Sequence, residues 1–230
     1  MRKPRLAKEV IDGYLAVSTP NVADALDRLG IKGAPSGLLP LYPGCKKMVG
    51  PAATMKLLPL GAATSAKTTS PVFGTLEAIM AGQPGDILVI DFDGNREVNS
   101  MGGVAGSTAK HLGLAGCVTD GVARDIEEYH DLDLPMYGKG YITTSIRNRC
   151  VFGGHSIDVK LGGIPVRPGD LIMADASGTL VVPQQHIDEV LKLAKMLKDT
   201  EDSVIAAVRS NIDPIVAHQN VKYDSMTNKQ

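Results

Sequence analysis

Residues 101–125 read MGGVAGSTAKHLGLAGCVTDGVARD, and this run decides the fold class. It opens on the adjacent glycines Gly102 and Gly103. The pattern then predicts a helix over about 104–112 and a short apolar strand over about 115–119. It ends in a turn that presents Asp120, Arg124 and Asp125. A glycine turn, a helix and a buried strand in that order are a unit of an α/β fold. The two ends of the unit carry the chemistry. A Gly-Gly turn at a helix start leaves backbone amides open, and the helix dipole favours an anion there. The plainer alternative is a strand-to-helix turn in which glycine supplies a positive φ. Neither the dinucleotide fingerprint nor a G-K-[ST] phosphate loop is present. At the other end, ligands of α/β sheets gather beyond the carboxyl ends of strands. Arg124 offers a planar fork for a carboxylate, and Asp125 a hard oxygen ligand for Mg²⁺. The plainer alternative there is an exposed helix start, where acidic residues are favourable. Spacing alone favours the plain turn at the glycines and leaves the charged end open.

Outward from this unit, PGD recurs. QPGDILVIDFDG (83–94) and RPGDLIMADASG (167–178) share a Pro-Gly-Asp turn, an apolar strand, an Asp and a second turn. The unbroken apolar character of both strands predicts burial on two faces. Upstream, STPNVADALDRLG predicts a helix capped by Ser18 or Thr19, with Pro20 in its first turn and Gly30 as its stop. KKMVGPAATMKLLPL predicts strands broken at Gly50-Pro51, and PVFGTLEAIMAG a helix ending at Gly82. PMYGKGYITTS and IDVKLGGIPVRPGD predict short strands. QQHIDEVLKLAKMLKDTEDSVIAAVRS predicts a long amphipathic helix with Ile187, Val190, Leu191, Ala194 and Leu197 on its apolar face. The tail beyond Pro214 is polar and is expected to be an arm. No linker divides the chain, so a single α/β domain over 1–230 is expected, its core at about 15–205 and its arm at about 214–230.

Composition removes several function classes. The chain has 230 residues and 43% hydrophobic residues, an ordinary globular balance. Aromatics are 4%, with no Trp, too few for base- or sugar-stacking platforms. Twenty-four basic and 25 acidic residues give a net charge of -1, so no field draws nucleic acid or an anionic membrane. No run of about 18 apolar residues exists to span a bilayer. The N-terminus has no apolar segment of the signal-peptide kind. Cys45, Cys117 and Cys150 are odd in number and far apart, which favours reduced thiols and a cytoplasmic location.

Other chemistries find little support. His111, His130, His155, His186 and His218 form no zinc-binding pattern. No G-x-S-x-G nucleophile elbow is present. Lys110, on the helix after the glycine turn, offers a Schiff-base amine in principle, but a solvated helix lysine is the commoner case.

Residues 101–125 also resemble the RraA-like family. STPNVADAL, VGPAATM, PGDILVID and GGIPVRPGDLIMADASGTLVVP extend the likeness over roughly residues 15–205. That family includes class II, metal-dependent aldolases of 4-hydroxy-4-methyl-2-oxoglutarate and 4-carboxy-4-hydroxy-2-oxoadipate. It also includes a regulator of ribonuclease E. The resemblance implies a swivelling β/β/α-type α/β sandwich, a homotrimer or hexamer, a site at a subunit boundary, and Mg²⁺ or Mn²⁺. It implies a lyase that releases pyruvate from a 4-hydroxy-2-oxo acid, with oxaloacetate decarboxylation as a side reaction. Arg124 would bind the 2-oxo acid, Asp125 the metal, and the amides after Gly103, at Val104 and Ala105, the substrate carboxylate. Asp120 keeps the strand-end acid of the family's DG turn, and Glu201 is a candidate for a glutamate given by a neighbouring chain. The family's aldolases carry an acidic residue, twenty intervening residues, then Arg-Asp. Here Gly103 stands at the acidic position, and Asp91, Asp93 and Glu97 are the candidates to replace it. The same likeness admits a non-catalytic regulator that binds an RNA-degrading enzyme, or a metal-dependent lyase or dehydratase of another sugar acid.

Overall fold

The computed structural model describes residues 5–222. Helices α1 (Lys8–Leu15) and α2 (Thr19–Leu29) lead into strands β1 (Leu39–Pro40) and β2 (Met48–Pro59). The middle alternates: α3 (Pro71–Ala81), β3 (Ile87–Asp91), α4 (Gly103–His111), β4 (Gly116–Thr119), α5 (Ile126–Asp131) and β5 (Met136–Gly138). Then come β6 (Cys150–His155), β7 (Val159–Leu161), β8 (Ile164–Val166), β9 (Leu171–Asp175) and β10 (Gly178–Val182). Helices α6 (Ile187–Arg209) and α7 (Pro214–Asn220) close the described chain. No helix among the described residues is long and apolar enough to cross a membrane.

The strands form one sheet in the order β1-β5-β4-β3-β2-β9-β10, with β6 also paired to β2, beside a separate β7–β8 hairpin. Strands β2, β3, β4 and β5 run parallel, as crossover helices require, and β9 and β10 are antiparallel. The sheet nearly closes. Thr179 Oγ1 donates to the Leu38 carbonyl at 3.2 Å, and Val181 N to the Gly33 carbonyl at 2.7 Å, bringing the two ends together. Alternation along β3 sorts its side chains. Ile87 and Val89 point into the closed interior with Val118, Tyr137 and Ile172. Leu88 and Ile90 face the layer under α3, α4 and α5. A third cluster, Tyr14, Leu26, Leu171, Val190 and Leu197, lies beneath α1, α2 and α6. The mixed α/β expectation therefore holds, with helices covering both outer faces.

Local signals are realised where predicted. Ser18 Oγ accepts from Asn21 N, while Asn21 Oδ1 accepts from Ser18 N, a reciprocal cap; Gly30 ends α2 at φ 70°. Both Pro-Gly-Asp turns close the same way. Asp86 N donates to the Gln83 carbonyl and Asp170 N to the Arg167 carbonyl, both at 3.0 Å, with Gly85 at φ 86° and Gly169 at φ 94°. Pro followed by a positive-φ glycine is the type II pattern. Each Asp then takes the turn's first amide on its carboxylate.

Two expectations change. Residues 48–59 form one continuous strand, not strands broken at Gly50-Pro51. The dipeptide marks a change of partner instead: residues 48–51 pair with β9 and residues 52–56 with β3. Gly50 is required because a Cβ there would lie 2.2 Å from the Gly85 carbonyl oxygen. The tail is not simply an arm, because Asp213 caps α7 by accepting from Ile215 N and Val216 N; residues 223–230 lie outside the described residues. The charged N-terminal stretch contains α1, held by Tyr14 Oη donating to the Ile187 carbonyl at 2.8 Å.

Candidate active site

The glycine turn and the charged turn meet because their backbones are zipped together. Asn99 bridges Val122 in parallel register, Ser100 N donates to the Val122 carbonyl at 2.7 Å, and Arg124 N donates to the Met101 carbonyl at 3.1 Å. This ladder carries residues 99–101 alongside 122–124 and delivers the N-terminus of α4 to Arg124 and Asp125. The predicted helix and strand are both present, starting at 103 rather than 104 and at 116 rather than 115.

Asp125 sits at φ 57°, ψ 44°. A left-handed backbone at a residue other than glycine costs about 1 kcal/mol or more and persists where surroundings enforce it. The conformation turns the carboxylate away from its own helix α5. Asp125 Oδ2 instead accepts from Gly103 N at 2.9 Å and lies 3.3 Å from Arg124 Nε. Tyr129, buried under the turn, donates from Oη to the Gly102 carbonyl at 3.2 Å; burial raises its phenol well above the usual value.

The two glycines are not needed for positive φ, as the sequence suggested. Gly102 is extended at φ -128°, and Gly103 lies within α4. They are needed for space. A Cβ at 102 would lie 2.7 Å from Asp125 Oδ2, and a Cβ at 103 only 1.5 Å from Glu128 Oε2. The position where the family's aldolases carry an acidic side chain is thus filled by the Glu128 carboxylate, reaching over from α5. Glu128 was not among the candidates from sequence. The signal was the third residue after Asp125, the helix position whose side chain reaches back over the helix start.

The expected substitutes lie elsewhere. Asp91 Oδ2 pairs with Lys56 Nζ at 2.8 Å and accepts from Lys160 N at 3.0 Å, while Oδ1 accepts from Asp93 N at 3.1 Å. Asp93 occupies the positive-φ turn that follows, and Glu97 N is bound by Asn95 Oδ1. None of the three lines the cleft beside Gly103. Asp120 is buried and shapes the turn, accepting from Phe92 N at 2.8 Å and Gly94 N at 3.2 Å; burial raises its pKa. Glu201 is held by Asn21 Nδ2 at 2.6 Å between α6 and α2, away from Arg124 in the same chain. Lys110 Nζ donates to the Asp133 carbonyl at 2.8 Å, outside the cleft.

Two hollows flank the Arg124–Asp125 pair. A small one, about 120 Å³, is walled by Asn99, Gly103, Val104, Ala105, Arg124 and Arg147. A wider one, about 560 Å³, is lined by Glu127, Glu128 and Tyr141. Arg124 is 27% exposed, and its Nε is buried without a hydrogen bond. The small hollow therefore offers a guanidinium and, at the start of a nine-residue helix, the amides of Val104 and Ala105, a combination suited to a small carboxylate. For a metal, no cluster of three or more His, Cys, Asp or Glu side chains stands ready among the described residues. Asp125 and Glu128 supply two hard oxygen donors. That set fits Mg²⁺ or Mn²⁺ held by few protein ligands with several waters retained.

Known proteins share this sequence and fold. Residues 19–181 match the RraA-like family, described as Aldolase/RraA. The chain is 30% identical over 210 residues to a protein of Halalkalibacterium halodurans named "Putative 4-hydroxy-4-methyl-2-oxoglutarate aldolase", covering 91% of this chain and 93% of that one. Among solved structures, an uncharacterized protein from Pseudomonas syringae pv. tomato superposes with a TM-score of 0.84 at 30% identity, covering 96% and 97% of the two chains. Streptomyces coelicolor RraAS2, described as an unusual member of the RNase ES inhibitor RraA family, gives 0.76 at 27% identity, covering 87% and 97%. With a family match over most of its length and a full-length relative at 30% identity, the chain belongs to the RraA-like family.

Proposed function

We propose that the protein is a divalent-metal-dependent lyase that cleaves a 4-hydroxy-2-oxo acid to pyruvate and a second carbonyl compound. The observation that carries this reading is the convergence of Arg124, Asp125 and Glu128 on the open N-terminus of α4. The substrate's carboxylate would lie against the amides of Val104 and Ala105, with Arg124 over its carboxylate and keto oxygens. Cleavage passes the proton of the 4-hydroxyl to a solvent-derived base, breaks C3–C4 as the C4 carbonyl forms, and leaves the electron pair on the pyruvate enolate, which a proton from water converts to pyruvate. Arg124 places a fixed positive charge where that negative charge develops. Asp125 and Glu128 would hold Mg²⁺ or Mn²⁺, which supplies Lewis acidity to the same enolate. Loss of CO₂ from oxaloacetate yields the same enolate, so decarboxylation is expected from the same residues.

Val104, 78% exposed in the wall of the small hollow, and Phe73, 65% exposed on α3, present apolar surface. A second copy of the chain would cover them in the homotrimer or hexamer that the family implies, and Glu201 would then serve a neighbour's site. The alternative, a non-catalytic regulator of an RNA-degrading enzyme, needs neither paired carboxylates nor the left-handed Asp125. The test is pyruvate release from 4-hydroxy-2-oxo acids and oxaloacetate, with added Mg²⁺ or Mn²⁺ and with EDTA. Turnover abolished by EDTA and restored by metal supports the lyase. No turnover of any such acid, with capture of an RNA-degrading enzyme, would establish the alternative.

A further inference from the structure

Asn99 is a polar group of the small hollow to which the proposed reaction has given no role. It is 1% exposed, and its Oδ1 is buried without a hydrogen-bond partner. Its backbone is fixed on both sides, by Asn99 N donating to the Thr144 carbonyl at 3.0 Å and by the bridge to Val122. Buried side-chain amides without partners are rare, because desolvation is then uncompensated. This one lies in the wall of a hollow that also holds Arg124 and the N-terminus of α4. An orphaned amide oxygen, an arginine and a helix N-terminus around one hollow describe a site that a ligand completes.

The chemistry of the missing partner follows from what else is present. Arg124, Arg147 and the α4 amides are all donors, and they suit carboxylate and keto oxygens. Asn99 Oδ1 is an acceptor, so a carboxylate cannot satisfy it. A hydroxyl can, and because it both donates and accepts it satisfies a carboxamide in either orientation. Resting on the lyase reading, we infer that Asn99 binds the 4-hydroxyl of the substrate and sets the preference for hydroxylated 2-oxo acids over their deoxy counterparts.

The experiment compares wild type with Asn99→Leu, which keeps similar bulk and removes the orphaned polar atoms. Pyruvate release is measured from 4-hydroxy-2-oxoglutarate and from oxaloacetate, which has no hydroxyl, at saturating Mg²⁺. A site built around a substrate hydroxyl discriminates strongly against losing that contact, so kcat/KM for the hydroxy acid should fall roughly 10-fold or more. Oxaloacetate turnover should stay within about 3-fold, and Tm should not drop. Inhibition by 2-oxoglutarate, the deoxy analogue, gives a second reading: Asn99→Leu should bind it at least as well as wild type does. Equal losses on both substrates, or a lower Tm with unchanged selectivity, would overturn the inference and leave the lyase intact. If wild type cleaves neither acid, the lyase reading fails, and this inference fails with it.

Discussion

Gly103→Ala isolates the role of the Glu128 carboxylate without touching that residue. The added Cβ would lie 1.5 Å from Glu128 Oε2 and 2.3 Å from its Cδ. The obstacle is the far end of an exposed, flexible side chain, so Glu128 swings outward and the backbone stays. Gly103 has no positive φ to lose, and alanine in a helix is favoured over glycine by about 0.5–1 kcal/mol. Stability should therefore change by no more than about 1 kcal/mol, or about 2–4 °C in Tm for a chain of this size. The site fares differently. Displacing a carboxylate that orients a metal or its water typically weakens affinity about 10–100-fold, roughly 1.4–2.7 kcal/mol. Mn²⁺ titration followed by water-proton relaxation reads the affinity, and calorimetric melting reads the stability. Placing the acid at 103 instead, with Gly103→Asp and Glu128→Ala together, should recover most of the Mn²⁺ affinity. Wild-type Mn²⁺ affinity in Gly103→Ala, or a Tm fall of 8 °C or more, would refute the reasoning.

Gly50→Ala should behave in the opposite manner. Its Cβ would lie 2.2 Å from a backbone oxygen, that of Gly85, which cannot rotate away, so loss of soluble folded protein or a Tm drop of about 6 °C or more is expected by calorimetry. Asp120→Asn should steepen the gain of stability with pH on the acid limb of the stability curve. Burial raises the folded pKa of Asp120 above its unfolded value near 3.8, so the folded state binds the proton more tightly. Asp120 therefore disfavours folding increasingly as pH rises from about 3.8 through the folded pKa, and urea melts across that window should show the variant gaining stability relative to wild type as pH rises.

Much of the fold was legible because its signals are local. The Ser18 cap, the twin Pro-Gly-Asp turns and the apolar stripe of α6 each depend on residues within a few positions of one another. The errors share a different character. Gly50-Pro51 reads as a strand break by local rules, yet it is where β2 exchanges β9 for β3, a fact set by strands far away in sequence. Gly102 and Gly103 read as positive-φ glycines, yet they are small because carboxylates from beyond position 120 occupy the space their side chains would fill. The Arg124–Asp125 pair was legible through the resemblance. The replacement for the acid at 103 was not, because nothing local joins Gly103 to Glu128; the parallel ladder between 99–101 and 122–124 does.

The central claim is that Arg124 stabilises the negative charge that develops on the pyruvate half of the substrate, and Arg124→Ala measures it most directly. Removing one such donor costs about 10²–10³-fold. With Mg²⁺ saturating, kcat/KM for pyruvate release should fall at least that far on both a 4-hydroxy-2-oxo acid and oxaloacetate, while Tm stays within a few degrees of wild type. Turnover within a few-fold of wild type on either acid would contradict the account.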